Sequence, residues 1–599
     1  MTTAVLIFTF SPVQSFITEA RRAADLYVGS QILVYLAKAA AQAIGPNRLI
    51  YPAILNGRLP DDVPNVLVAQ VDFGQAEATT KRAHEALRDE WKRLADTARN
   101  ALLNQPGLSH DSTWDTIWTR QADHLWQVFW TAAPIGSGGY QQAYQEARAA
   151  LDAVKRSRVF PQMEEPGAKD SLSGMREALH LTGQTAKEYW TDVARRVTAA
   201  KLRPNGRERL DAIGAVKRFC ELADRATVST STIASADFRE RARQKAGIQL
   251  ALYRKAVEDA LKSYIYAPRK NDLQWPYDGD LFFPETLMPE RLEDSYHGVA
   301  RPDLLERARQ ALLELYKVAE ARPSPYYAII VLDGDDMGKH ISRLLSELDP
   351  AKAHGDFSRQ LATFAQLVPQ TLGATFRARI GSAMFDADSR IGQEFLVYNG
   401  GDDVLALAPL SVALPMAQAL AMEFSSQVPG CTASAGLAVV HHLYPLDAAL
   451  AAAREAEKTA KTVPGKAAIA VRVLKRSGET VTVRSRWKSM GDLFDELVGH
   501  FAGERLSSRF AYELSERAPV VTALPADARK AAIKQLVRRH KSDQLADPDG
   551  LVERLWEWAQ ELDAQTQRDN GDGVDVSQGF TELSRWTVFA RFVAQGGGE

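Results

Sequence analysis

The chain has 599 residues, and at the usual ~150 residues per domain that length excludes a single small binding module and points to about four domains. Hydrophobic residues make up 45% and charged residues 25%, with 38 Gly and 27 Pro, which excludes a disordered or collagen-like chain. Lys plus Arg is 73 and Asp plus Glu is 75, a net charge of -2, so no overall positive field draws the protein to nucleic acid and any such contact is local or shared with partners.

Residues 4–10 are a short apolar run ending at the turn signal Ser11-Pro12, and Val13 to Arg22 then shows helical spacing, which reads as strand, turn, helix. Asn65 to Asp72 is expected as a strand, Ala76 to about Asn104 as a charged helix, and His124 to Trp130 as a further strand. Residues 1–150 are thus a first α+β unit. From 151 to 320 the pattern is helical, interrupted at Pro166-Gly167 and Pro204-Asn205-Gly206.

A second α+β unit, 321–485, opens with the apolar strand Tyr326 to Leu332 after Arg322-Pro-Ser-Pro325. It continues as a helix near 356–374, strands 394–398 and 404–408 about the turn Asn399-Gly400-Gly401, a helix near 412–427, a strand 432–440, a helix 446–461 and a strand 467–473. The order β-α-β-β-α-β is that of the ferredoxin-like split unit. Residues 486–599 read as helical, with a loose Gly-Gly-Gly-Glu599 tail. The two units start alike and are expected to be a divergent pair.

Chemistry concentrates in the second unit. Its first strand runs into Asp333-Gly334-Asp335-Asp336-Met337-Gly338, and its hairpin into Gly400-Gly401-Asp402-Asp403. In the split fold these strands are neighbours, so two acidic clusters distant in sequence can meet. Crowded carboxylates repel, and a hard divalent cation with oxygen ligands relieves them, so Mg²⁺ or Mn²⁺ is expected. Two such ions about 4 Å apart can activate a hydroxyl and stabilise a leaving pyrophosphate, which makes nucleotidyl transfer the reaction class. The glycines leave room for a triphosphate beside backbone N–H groups. Each motif also has a plain reading: Asn-Gly is a common hairpin turn, and Asp335 or Asp336 a helix cap. Lys458, Lys461 and Lys466 are placed to meet phosphates, or simply to complement a helix C-terminus.

Tyr326 to Gly338, Gly400 to Asp403, Ser434-Ala-Gly436 with His441 to Pro445, and also Phe10 to Ile17, Arg22 to Ser30, Leu210 to Phe219 and Ser507 to Phe510 together resemble the large polymerase-cyclase subunit of type III-B CRISPR effector complexes. The resemblance implies an α+β architecture of two ferredoxin-like palm domains with helical middle and C-terminal domains. It implies synthesis of cyclic oligoadenylate from ATP when the complex holds guide crRNA paired with target RNA, together with smaller protein subunits. Carried onto this chain, Asp333, Asp402 and Asp403 would bind two catalytic ions, with Asp403 bridging. Gly334, Asp335, Asp336, Met337, Gly338, Gly400, Gly401 and Lys461 would surround one ATP, and Ser11, Pro12, Val13 and Gln14 of the first palm would hold the other.

Two departures from the family pattern stand out. The first palm strand starts within ten residues of Met1, so the His-Asp nuclease domain of many relatives is not expected, and His110-Asp111 reads as an ordinary loop. At Lys169 to Gly174, Asp170 and Ser173 stand where relatives often carry half of a zinc site, so no zinc is expected. Cys220 and Cys431, the only cysteines, fit a reducing cytoplasm; no signal peptide or run of about 18 apolar residues is present, so no membrane partner is expected. His441-His442 reads as a satisfied pair and Arg529 to Lys541 as a solvated helix face, with substrate and RNA contact as the respective alternatives. The competing functional readings are a silent scaffold that grips guide and target RNA, and transfer of AMP to another small metabolite.

Overall fold

The computed structural model describes residues 2–157, 164–203, 206–222, 228–269, 272–296, 301–381, 390–566 and 578–597. The expected turn at Pro204-Asn205 and the end of the tail, Gly598 and Glu599, lie outside them.

The first palm is a four-stranded antiparallel sheet of β1 (Thr3–Ser11), β2 (Leu49–Tyr51), β3 (Val66–Asp72) and β4 (Gln127–Pro134), in the order β2-β3-β1-β4. This is the split β-α-β-β-α-β order. β1 is apolar on both faces because both are covered. Leu6, Phe8 and Phe10 point to the core under the helices Ala23–Ile44 and Ala76–Leu103, while Val5 and Ile7 meet Tyr140, Tyr144 and Leu151 of the helix Gly139–Arg156. That last helix runs across residue 150 and packs on β1 and β4, so the palm extends past the expected limit.

The expected helix 13–22 is instead one turn, Gln14–Thr18, followed by a new helix from Ala23. Asp25 explains the break: its carboxylate accepts from the backbone N–H of Arg21 and Arg22, at 3.2 and 3.1 Å, and caps the second helix. Lys217 ties off the first turn by donating to the carbonyls of Phe16 and Glu19.

The second palm has six strands, β5 (Tyr326–Gly334), β6 (Leu396–Asn399), β7 (Val404–Pro409), β8 (Ala433–His441), β9 (Ala468–Leu474) and β10 (Thr480–Arg486), in the order β10-β9-β8-β5-β7-β6. β5 through β8 form the split unit, with the helices Pro350–Ile380 and Leu410–Gln427 as its connections. β9 extends it in parallel to β8 across the helix Leu446–Thr462, and β10, absent from the sequence reading, adds a hairpin. Gly436 on β8 is where that helix lies closest: a Cβ there would stand 2.0 Å from the Glu457 nitrogen and 2.4 Å from the Ala453 oxygen.

The middle region is helical among the described residues, with the helices Ala186–Arg196, Ala236–Lys245, Gly247–Leu261 and Pro302–Ala319 among others. Five helices from Leu493–Ala502 to Gly579–Ala594 follow the second palm. The palms meet along the helix Pro350–Ile380. The Ala53 backbone N–H donates to Ser358 Oγ at 2.7 Å, and the Tyr140 hydroxyl bonds His354 Nδ1 at 3.0 Å. No described helix is long and apolar enough to cross a membrane.

Candidate active site

β5 lies between β7 and β8, with Leu332 opposite Val404 on one side and Ala435 on the other. Its end therefore lies beside the β6–β7 turn, and the backbone N–H of Gly334 donates to the Asp402 carbonyl at 3.2 Å. The two acidic turns thus touch through the main chain. Within the hairpin, Gly400 N–H donates to the Asp403 carbonyl at 2.8 Å and Gly401 N–H to Asn399 Oδ1 at 3.3 Å. Asn399 Nδ2 in turn donates to the Ala365 carbonyl at 2.7 Å, fixing the turn to the helix Pro350–Ile380.

The electrostatics of this corner are strained by like charges. Burial, then the nearby Asp333 charge, pushes the Asp402 carboxyl up to about 6. Burial, Asp333 and Asp402 push Asp403 up to about 7, against the opposing Arg454 guanidinium. The Asp333 carboxylate pairs with Lys461 Nζ, which also sits 3.0 Å from Glu457 Oε1. Arg454, Glu457 and Lys461 recur at helical spacing along Leu446–Thr462, so one helix face supplies the cations of this corner. Among the described residues no three or more His, Cys, Asp or Glu side chains are gathered as a finished metal-ligand set. The donor chemistry nevertheless suits a hard cation: three carboxylates, two of them half-buried and repelled, with a lysine ammonium as the direct partner of the third.

The expected nucleotide contacts divide. Asp335 faces inward: its carboxylate accepts from Thr432 Oγ1 at 2.8 Å, Ser434 Oγ at 2.9 Å and Ala467 N–H at 3.0 Å, and its own N–H donates to Thr432. Its side chain is consumed in holding β5, β8 and β9 together, which corrects its assignment to the nucleotide. The N–H groups of Gly334, Gly400 and Gly401 are likewise taken within the protein. Glycine is required at Gly401, whose φ is +104°, while a Cβ would crowd Met337 Sδ at 2.7 Å on Gly334 and the Tyr398 hydroxyl at 2.3 Å on Gly400, so those side chains would have to shift. The reason at Gly334 and Gly400 is packing rather than triphosphate room.

Gly338 differs, with nothing within 4 Å of a Cβ. It stands with Met337 at the start of the helix Met337–Leu344, whose first N–H groups have no intrahelical acceptor. Asp336 precedes them in a left-handed conformation, its carboxylate bonded to Lys466 Nζ at 2.9 Å and Lys339 Nζ at 3.1 Å. Ser11 to Gln14 lie at the end of β1, and no hydrogen bond joins them to the second palm among the described residues. The first palm reaches the acidic turn through Tyr51 instead, whose hydroxyl donates to the Gly400 carbonyl at 3.2 Å.

Comparison with known proteins bears directly on this geometry. Residues 326–470 match the second palm domain of Cas10/Cmr2, and residues 5–96 match the N-terminal region of the CRISPR-associated protein Cmr2. The Cmr2 subunit of the Cmr system of Pyrococcus furiosus is 39% identical over 168 residues, 26% of this chain and 19% of that subunit. Two segments of this chain, one in each palm, are therefore similar in sequence to Cmr2, and the chain spans about a fifth of that curated relative. A subunit of the type III-B Cmr-beta complex in its apo state superposes with TM-score 0.66 at 12% identity, over 100% of this chain and 82% of that one. The same type of complex bound to cognate target RNA gives 0.58 at 12% identity, over 93% and 80%. At such identity these structures establish the shared fold.

Away from the palm corner, the other candidates are absorbed by structure. His442 stacks on Phe283 with centroids 4.2 Å apart and bonds Ser231 Oγ at 2.8 Å; burial holds its imidazole down at about 3. Cys431 is buried and burial raises its thiol, with no base bonded to it. Asp111 caps the helix Ser112–Ala122 and His110 pairs with Asp115 at 3.0 Å. The basic stretch Arg529 to Lys541 is answered by acids: Arg529 by Asp563, Lys530 by Glu553, Lys534 and Arg538 by Asp549, Arg539 and His540 by Glu513. Ser173 Oγ donates to the Asp170 carboxylate at 2.6 Å within the loop Lys169 to Gly174.

Tyr51, Tyr398, Arg454 and Glu457 were not singled out from sequence. Tyr51 sits on a three-residue strand with no periodic signal, whereas the Glu457–Lys461 spacing of four was a legible clue.

Proposed function

We propose that this chain is the ATP-consuming subunit of a type III-B ribonucleoprotein, and that it joins ATP into cyclic oligoadenylate when guide crRNA is paired with target RNA. The carrying observation is the meeting of the two acidic turns at the Gly334 to Asp402 hydrogen bond, with Asp402 and Asp403 both half-buried and held toward their protonated forms. Partners on this reading are smaller protein subunits and the two RNAs, in the cytoplasm. The Cmr-beta structures, whose fold this chain shares, support that setting.

Asp333, Asp402 and Asp403 are the residues that would hold two Mg²⁺ or Mn²⁺ ions. Bound there, such ions supply charge neutralisation at the reacting phosphate and lower the proton affinity of an attacking hydroxyl. Lys461, paired with Asp333 here, would supply a point charge for the triphosphate tail. The free N–H groups at Met337 and Gly338 point their partial positive charge at the same tail. A 3′-hydroxyl held in line would then attack the α-phosphorus, pyrophosphate would leave, and the hydroxyl proton would pass to water or a carboxylate oxygen of the Asp402-Asp403 pair. The second ATP is assigned to the first palm at Ser11 to Gln14.

Incubation of the assembled complex with ATP, Mg²⁺ and target RNA, followed by mass spectrometry, tests the reading. Wild type is expected to give cyclic oligoadenylate and pyrophosphate, and Asp402→Ala/Asp403→Ala neither. Equal product from both would overturn the site, and an AMP adduct of another metabolite would reassign the acceptor.

A further inference from the structure

Among the described residues, a hydrogen bond crosses from the first palm onto the acidic turn of the second, and it falls on the Gly400–Gly401 segment of that turn. Gly400 and Gly401 are adjacent glycines, the residue type with the widest backbone freedom, and the peptide plane between them lies one residue before Asp402. The N–H groups of both are held by their own hairpin, through the Asp403 carbonyl and Asn399 Oδ1. The Gly400 carbonyl is held from outside, by the Tyr51 hydroxyl at 3.2 Å, which also stands 3.3 Å from the position of a Cβ on Gly401.

Tyr51 is itself fixed. It is partly buried against two hydrophobic clusters, the large core shared by both palms and the smaller one that holds Val5, Ile7 and Tyr140. Two residues on, Ala53 N–H is bonded to Ser358 Oγ at 2.7 Å, and along the same helix His354 Nδ1 meets Tyr140 at 3.0 Å. The hydroxyl is therefore delivered by docking of one palm on the other.

We infer that Tyr51 is a positioning residue, which fixes the Gly400–Gly401 peptide plane and so makes the orientation of Asp402 and Asp403 depend on the seating of the first palm. The consequence for turnover rests on the nucleotidyl-transfer reading; the tie itself does not. Because Tyr51 acts through the turn and touches no substrate, its loss should lower kcat and leave KM for ATP unchanged.

Tyr51→Phe removes the hydroxyl and keeps the ring. In the assembled complex kcat per active site should fall about fivefold, the effect of one neutral hydrogen bond, with KM for ATP within about twofold. In the full chain without RNA, amide exchange in the peptide 396–409 should quicken by about the same factor. Ser358→Ala, which frees the neighbouring anchor, should shift both readouts in the same direction by a smaller factor.

Wild-type kcat in Tyr51→Phe, or a raised KM with kcat unchanged, would overturn the inference. If wild type itself made no nucleotide product, the proposed function would fail and exchange alone would decide. Quickened exchange would uphold the tie, and unchanged exchange would remove it.

Discussion

Asp402 and Asp403 carry the most telling consequence at the scale of single residues. Both carboxyls bind protons more tightly in the folded chain than in the unfolded one, at about 6 and about 7 against an ordinary 3.8. Between those values the native state holds more protons, so stability falls as pH rises from about 4 to about 7. In the presence of a chelator, Asp402→Asn/Asp403→Asn should flatten that part of the melting profile relative to wild type, measured as Tm against pH. Mg²⁺ should raise the wild-type Tm more at pH 8 than at pH 5.5, because proton and cation compete for the same oxygens; a pH-independent Mg²⁺ effect would place the cation elsewhere. His354 works in the opposite direction. Burial holds its imidazole down at about 4, so its contribution is complete above about 6.5 and is lost as pH falls toward 4.

The helix Leu446–Thr462 shows how an element delivers the site. Lys461 reaches Asp333 because the helix lies against β8 at Gly436. Gly436→Ala would press a methyl into the backbone at Ala453 and Glu457, costing about 1–3 kcal/mol in denaturant unfolding and displacing Lys461 from Asp333. An unchanged midpoint would show that the helix can yield. This element was legible in sequence, as were β5, β7, β8 and the helix Ala76–Leu103, because each is a long run of one hydrophobic period between clear turn signals. β2 and β10 were not. β2 has three residues, and β10 is a polar edge strand whose pattern is set by its pairing with β9. The two acidic turns could be read because carboxylates cluster in sequence, while Asp335 could not be told from Asp333 and Asp336. Which of the three turns inward depends on Thr432, Ser434 and Ala467, which the chain supplies much later.

At the scale of the whole molecule, the first palm is bound to the middle region by buried charge. Arg218 holds Asp25 through Nε at 2.7 Å and Nη2 at 2.9 Å, and Glu208 at 3.0 Å, while Arg22 closes the ring onto Glu208 at 2.6 Å. Arg218→Ala would leave two buried carboxylates short of their partner and cost about 3–5 kcal/mol, read as a lowered denaturant midpoint; a loss within 1 kcal/mol would mean that Arg22 alone satisfies them. On its other side the middle region grips Glu394 through Arg269 at 2.7 Å, just before β6 enters the acidic turn. Both palms and the middle region are thus tied together by charge, and the function turns on what the two acidic turns bind. A crystal structure with Mn²⁺ and a non-hydrolysable ATP analogue, read by Mn anomalous scattering, tests this most directly. The account predicts metal peaks within bonding distance of Asp333, Asp402 and Asp403, with the triphosphate running past Gly338 toward Lys461. Nucleotide bound with no metal at those carboxylates, or metal and nucleotide both bound away from the two turns, would contradict it.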